Sequence, residues 1–383
     1  MVINIRKKEA AYSFTTILLL IGSFVQFGDY LVARYFVPLV VLFLGLLLYL
    51  SQVKLRASKV VSKFSKLHFI VFLLFVILSF LGNVNLDEII FDFGKLFLAF
   101  GLSFFVFYSV YYASNKAVHV AVIVATSVVI LVLCLDTYFR FSGFSYERLA
   151  SNFYIYKVNS PFFVDSNAVA LYALFGFSLF YYYYLYQCNR SCFLLLALLF
   201  LIFLFILLSF SRASIIALFV LLIFSWYFRR SYYFKINILF LSVFIFFLSV
   251  PMIISMVNFD GSGSTKVGIY VRFWDLFWLQ DILPALVGHG INEGNYVYSY
   301  EEGKYSHALI PMVTGQFGLF GLVLYFFFFL YSAWITKGHS LYAFIPAFVA
   351  GLSYLHPFLE TLFVANAFIV GIYLKSRGRA FNA

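Results

Sequence analysis

The chain has 383 residues, of which 64% are hydrophobic and 11% charged, and its formal net charge is +11. Soluble domains run at about 45–50% apolar and about 25% charged, and no water-soluble fold of this length hides so much apolar surface. Lipid is therefore the solvent for most of the chain, and the expected fold class is all-α, polytopic and integral to a membrane.

A helix needs about 20 apolar residues to cross the hydrocarbon core. Twelve such stretches follow one another, at about 10–27, 31–51, 67–84, 96–113, 117–137, 166–186, 193–210, 213–228, 236–256, 308–333, 340–356 and 360–374. They are continuously apolar rather than alternating, which excludes the strands of a barrel. The basic opening MVINIRKKEA leads into an apolar run with no small-residue cleavage site behind it, so no removable signal peptide is expected. The whole of 1–383 reads as one transmembrane domain, with no internal repeat.

Charge sets the orientation. With the N-terminus in the cytoplasm, the cytoplasmic segments hold 17 of the 26 basic residues and one of the 15 acidic residues, Glu9. That side carries about +16 and the other about −5, the asymmetry of the positive-inside rule. The net positive charge is thus a topology signal, and a nucleic-acid partner loses its support. Both termini fall in the cytoplasm, and the two long loops, 138–165 and 257–307, fall outside.

In chain order, the first polar feature is PFFVDSNAVALY at 161–172, ahead of the sixth span. Asp165 and Ser166 are good helix N-caps. Asn167, near the start of an intramembrane helix, is not explained by capping alone and joins Asp165 as a candidate substrate-binding residue. Cysteines are few: Cys134, Cys188 and Cys192 cannot make a disulfide framework. Cys188 and Cys192 flank Arg190 with no histidine nearby, so no metal site is expected.

SFSRAS (209–214) sits between two apolar runs, at the outer end of a tight hairpin. An arginine at that depth marks a functional site, and the fixed donors of Arg212 suit phosphate oxygens. The loop 257–307 has room for one or two helices lying on the membrane. Its segment GIYVRFWDLFW (268–278) reads as an amphipathic helix, with Arg272 and Asp275 three residues apart on one face. GHGINEGN (288–295) lacks the GxGxxG spacing, so its glycines read as a turn folding the loop back over a membrane cavity. His289 and Glu293 are candidate binding residues there. KYSHALIP (304–311) places His307 where the loop re-enters the membrane, and a neutral imidazole suits a general base. Arg34, Asp136, His356 and Glu360 also lie near outer ends of spans, so the outer half of the bundle is polar inside. There is no HExxH, no P-loop and no DxD-like pair in an outer loop. Neither a metal nor any other cofactor is expected.

The order of these segments resembles the O-antigen polymerase and ligase superfamily of bacterial surface-glycan assembly. SFSRAS at a hairpin tip is followed by an outer loop with an arginine-aromatic helix, a GHG turn, His307 and then the glycine-bearing span TGQFGLFG (314–321). FFVDSN before a span is similar to the polymerase (Wzy-type) members. The resemblance covers about 160–330. One departure is that members commonly carry His-Asn where this chain has His307-Ala308.

The resemblance implies a metal-independent glycosyltransferase in the bacterial inner membrane, working at its periplasmic face. Its donor and acceptor would be oligosaccharides on undecaprenyl diphosphate, with a chain-length regulator as a further partner. Arg212 and Arg272 would bind the diphosphate and stabilise its leaving charge. His307 would orient or deprotonate the acceptor hydroxyl. A polymerase is expected first, a ligase to lipid A–core second. A flippase or transporter is disfavoured, because the cytoplasmic halves of the spans hold almost no ionisable residues.

Overall fold

The computed structural model describes residues 14–24, 38–46, 59–82, 86–142, 162–163, 165–188, 192–230, 261–301 and 304–380. Every regular element among them is helical. In chain order these are α1 (Phe14–Phe24), α2 (38–46), α3 (Lys59–Leu81), α4 (Leu86–Tyr112), α5 (Asn115–Phe141), α6 (Ser166–Gln187), α7 (Phe193–Leu208), α8 (Arg212–Phe228), α9 (Gly261–Leu279), α10 (Ile282–Val287), α11 (Leu309–Ile335), α12 (Leu341–Gly351) and α13 (Glu360–Ala380).

Among the described residues, five segments are long and apolar enough to cross a membrane: Val61–Leu81, Phe93–Tyr112, Asn115–Phe141, Ser166–Gln187 and Leu309–Ile335. α1, α7, α8 and α12 are apolar but shorter. This is the pattern of an all-helical, polytopic membrane protein. The expected span at 236–256 and most of the loop at 138–165 lie outside the described residues. The loop 257–307 does contain helices, α9 and α10, as its composition suggests. The expected run 340–356 is a helix only to Gly351; a turn-rich segment then leads into α13.

In lipid, helices are not driven together by apolar surface alone, so close packing and polar links matter more. α13 is the central element. Its residues from Leu362 to Leu374 are almost all buried, and it packs most extensively on α4 and also on α6 and α12. Lys375 ends this buried stretch. Its Nζ donates to the carbonyls of Val110, at 3.3 Å, and Ala113. Those oxygens lie at the C-terminal end of α4, where carbonyls lack helical donors and the helix dipole is negative. Phe100 of α4 fills the middle of the bundle, with Phe75, Phe328, Phe358 and Phe363 at centroid distances of 5.0 to 6.4 Å.

Two further polar clusters lie within the described helices, one buried and one half-buried. On α5, Asp136 and Arg140 form an ion pair one turn apart, with side chains 0% and 2% exposed. Neither charge could be buried alone without a large penalty. At the other cluster, Tyr182 and Tyr186 of α6, Ser225 of α8, and His339 and Tyr342 at the start of α12 form a linked set. Tyr182 Oη bonds His339 Nδ1 at 3.2 Å, Tyr186 Oη bonds Tyr342 Oη at 3.1 Å, and Tyr342 Oη donates to Ser225 Oγ at 3.2 Å.

Candidate functional site

The site in the loop 257–307 is built on a broken helix. Gly318, inside α11, has φ 63° and ψ −164°, a left-handed conformation that only glycine adopts readily. A Cβ there would overlap the Leu286 backbone. The break frees carbonyls of the preceding turn, and the GHG turn uses them. The His289 N–H donates to the Gly315 carbonyl at 2.7 Å, and the Gly290 N–H to the Gln316 carbonyl at 3.2 Å. Gly294 lies flat against Gly315, where any side chain would strike backbone. The glycines of GHGINEGN therefore let two backbones touch, as expected of a loop folded back on the bundle. Asn295 completes the joint. Its Oδ1 accepts from Gln316 Nε2, and its carbonyl accepts from the Ser306 N–H at 2.8 Å and from Ser306 Oγ at 3.0 Å.

This joint delivers His307. The residue has φ 54°, left-handed for a non-glycine, a conformation that costs energy and recurs at functional sites. The Leu355 N–H holds the His307 carbonyl at 2.9 Å. The imidazole stacks on Tyr354, with centroids 5.4 Å apart and planes at 21°, and tilts against Tyr305 at 6.1 Å. Neither ring nitrogen hydrogen-bonds to another described residue. The ring instead lines a cavity of about 230 Å³ shared with Lys95, Tyr305, Tyr354, His356 and Glu360.

Charge around His307 is mixed. Burial first, and then the positive charge of Lys266, lower its pKa to about 4, with Asp165 partly opposing them. The ring is therefore neutral at physiological pH. Burial lowers the pKa of Lys266 itself, against the raising effect of Asp165. The structure thus brings three distant segments to one place: His307, Lys266 on α9 and Asp165 at the start of α6.

Asp165 does cap α6. Its Oδ1 accepts from the Ala168 N–H at 2.9 Å, and its Oδ2 accepts from Asn167 Nδ2 at 3.2 Å. Asn167 therefore positions the capping carboxylate. His289 Nε2 meets Gln280 Oε1 at 3.0 Å, and Tyr298 Oη donates to the same oxygen at 3.2 Å. That triangle braces the loop, and burial lowers the His289 pKa while Glu293 opposes the shift. Glu293 itself opens a short 3₁₀ turn, Glu293–Asn295.

The arginines stand apart. Arg212 is exposed at the first position of α8, after a turn closed by its serines: Ser209 Oγ donates to the Ile206 carbonyl at 2.6 Å, and Ser211 Oγ donates to Ser214 Oγ at 3.3 Å. Arg272 is exposed in the middle of α9 and forms no ion pair with Asp275. Neither arginine lines the His307 cavity.

Sequence reasoning missed Lys95 and Lys266 beside His307. Their only signal is that each is a lone lysine on the side that the charge count reads as acidic. It also missed Tyr305 and Tyr354, whose rings flank His307 and which a tyrosine-rich composition conceals. His356 and Glu360 were marked only by their place near span ends, and the cavity joins them to His307. No group of three or more histidine, cysteine or acidic side chains that could hold a metal occurs among the described residues. No protein-family model matches the chain, and no curated protein matches it.

Proposed function

We propose that this chain is a surface-polysaccharide polymerase of the bacterial inner membrane, with twelve spans, cytoplasmic termini and its site on the periplasmic face. It joins repeat units carried on undecaprenyl diphosphate. The observation that carries this reading is His307: a neutral imidazole with unbonded ring nitrogens, set in a strained backbone at the wall of a cavity. That is what a general base for an acceptor hydroxyl requires.

In the proposed step, the acceptor hydroxyl oxygen attacks the anomeric carbon of the donor sugar. The bond from that carbon to the diphosphate oxygen breaks, and undecaprenyl diphosphate leaves. His307 takes the hydroxyl proton. Tyr354 stacking orients the ring, and the Leu355 hydrogen bond holds the His307 backbone, for that transfer. Arg212 and Arg272 hold the diphosphate in this reading, on the strength of the family resemblance alone; both are exposed and can reach a lipid head group. Lys95 and Lys266 add positive charge nearer the cavity. Two or more fixed cations stabilise a leaving diphosphate without a divalent metal.

Deleting the gene and running the surface glycan on a gel tests this reading. A polymerase mutant shows core bearing a single repeat unit. Bare core with accumulated lipid-linked polymer would instead identify a ligase, and accumulated unflipped repeats a flippase.

A further inference from the structure

The tyrosine–histidine cluster stands at the other end of the bundle from His307, and cations gather around it. α8 ends beside Arg229, α12 begins just after His339, and α13 runs past Tyr373, so elements far apart in sequence meet here. Rings hold the joint together: His339 lies 4.8 Å from Tyr373, 5.4 Å from Phe228 and 4.7 Å from Tyr186. Gly338, at φ 89°, lets the turn before α12 lie close against Phe228, where a Cβ would come within 2.9 Å of the ring. Arg229, Arg230, Lys337 and Arg377 are exposed around this joint. No acidic residue occurs in 181–188, 225–230, 331–345 or 370–377.

Helix capping and the positive-inside rule explain why cations stand at this end. They do not explain why guanidiniums from α8 and α13 converge on one joint with donors unspent. Arg229 Nε donates to the Ser225 carbonyl at 3.2 Å, and its two Nη groups bond no other described residue. Arg377 lies over the Tyr373 ring, 5.0 Å from its centroid, and makes no hydrogen bond to a described residue. The adjoining face of α8 is apolar. Ile216, Phe219, Ile223 and Trp226 are exposed and spaced three or four apart, one stripe that ends at Arg229 and Arg230. Arg230 itself sits over Trp226, 5.2 Å from the ring centroid. An apolar stripe ending in cations matches an amphiphile with a hydrocarbon tail and a phosphate. A free phosphate would leave the stripe unused, and a zwitterionic lipid would bring its own cation against the arginines.

We propose that Arg229 and Arg377 bind the phosphodiester of an anionic phospholipid, in the leaflet on the side that the charge count assigns to the cytoplasm. The planar N–H donors of a guanidinium fit phosphate oxygens. Arg230 and Lys337 strengthen the field, and an acyl chain runs along the α8 stripe. Basic sites between helix ends on that side suit such head groups. The bound lipid ties the ends of α8 and α13 to the turn before α12. This inference does not depend on the polymerase reading.

The test uses the full chain in phosphatidylcholine nanodiscs doped with spin-labelled phosphatidylglycerol or spin-labelled phosphatidylcholine. Electron paramagnetic resonance reads the fraction of labelled lipid that the protein immobilises. The native chain should hold phosphatidylglycerol in preference to phosphatidylcholine. That preference should fall roughly fivefold in each of Arg229→Gln and Arg377→Gln, the attraction of about one basic residue for an anionic head group. Both side chains are exposed, so the variants keep the fold. Lys116, exposed at the start of α5 near the carbonyl of Ala113 that holds Lys375, touches none of these rings, and Lys116→Gln should change nothing. Four results would each overturn the proposal: no preference in the native chain, an undiminished preference in either arginine variant, an equal fall in Lys116→Gln, or displacement of the labelled phosphatidylglycerol by inorganic phosphate. The gene-deletion gel separately decides the polymerase reading, so the two can fail independently.

Discussion

Two histidines in this chain sit among tyrosines, and they are built for different ends. His339, at the start of α12, is ringed by Tyr186, Tyr182, Tyr373 and Phe228 at centroid distances of 4.7 to 5.7 Å, and Tyr182 Oη bonds its Nδ1. His307 stacks on Tyr354 alone at close range, keeps both ring nitrogens unbonded, and lines a cavity. Burial first, and a nearby cation second, Arg377 at His339 and Lys266 at His307, lower the pKa of each to about 4. A depressed pKa therefore reports only that the surroundings solvate charge poorly. What separates a site from a packed joint is an unbonded nitrogen, open volume and a strained backbone, and only His307 has all three.

The largest effect that would break this comparison falls on catalysis. In a reconstituted assay with lipid-linked repeat units, His307→Ala should slow elongation by roughly 10²–10⁴-fold, the usual contribution of a positioned base. His339→Gln should leave the rate close to that of the native chain.

The next effect falls on the scaffold beneath His307. Gly318→Ala places a Cβ against the Leu286 backbone at positive φ. It should cost on the order of 1–3 kcal/mol for the backbone strain alone, read as a lower unfolding midpoint in detergent. His339→Gln, which loses one hydrogen bond, should cost only about 0.5–1.5 kcal/mol.

The comparison then predicts a shared pH response. Both histidines have folded pKa values near 4 against 6.5 for the free side chain. At pH above about 6.5 neither state binds the proton, and their contribution to stability is intact. As pH falls from about 6.5 towards 4, the unfolded chain binds protons that the folded chain does not, so stability is lost across that window. Unfolding midpoints measured from pH 8 to pH 4 should fall in that range. Activity should separate the pair: the rate should hold as long as His307 is neutral and decline as pH falls through about 4. Removing the neighbouring cation with Lys266→Met should move that acid limb to higher pH, the smallest of these effects.

Much of the fold was legible because lipid leaves a chain few choices. Continuous apolar runs gave α5 to α8 and α11 with small errors at the ends, but α3 and α4 begin at Lys59 and Leu86, well ahead of the expected 67 and 96, because their first turns are polar. The tight SFSRAS hairpin, the Asp165 cap and the helical arginine-aromatic segment also follow from local rules of capping and periodicity. The site was half legible. His307 was marked by its place at the loop's return to the membrane, and the GHG glycines by their need for close backbone approach. The break at Gly318 could not be read, since TGQFGLFG is also a plausible unbroken helix; the break depends on the GHG turn that occupies its carbonyls. Lys266 and Asp165 meet His307 only after α6, α9 and α11 have packed, and no local pattern encodes that. The arginines show the converse: their spacing and setting drew attention, yet they stand outside the cavity.

The most direct test is the surface-glycan ladder of a gene-deletion strain complemented with native chain, His307→Ala or His339→Gln, at matched abundance in the membrane. The account predicts a full ladder for the native chain and for His339→Gln, and core with a single repeat unit for His307→Ala. A full ladder from His307→Ala would contradict it.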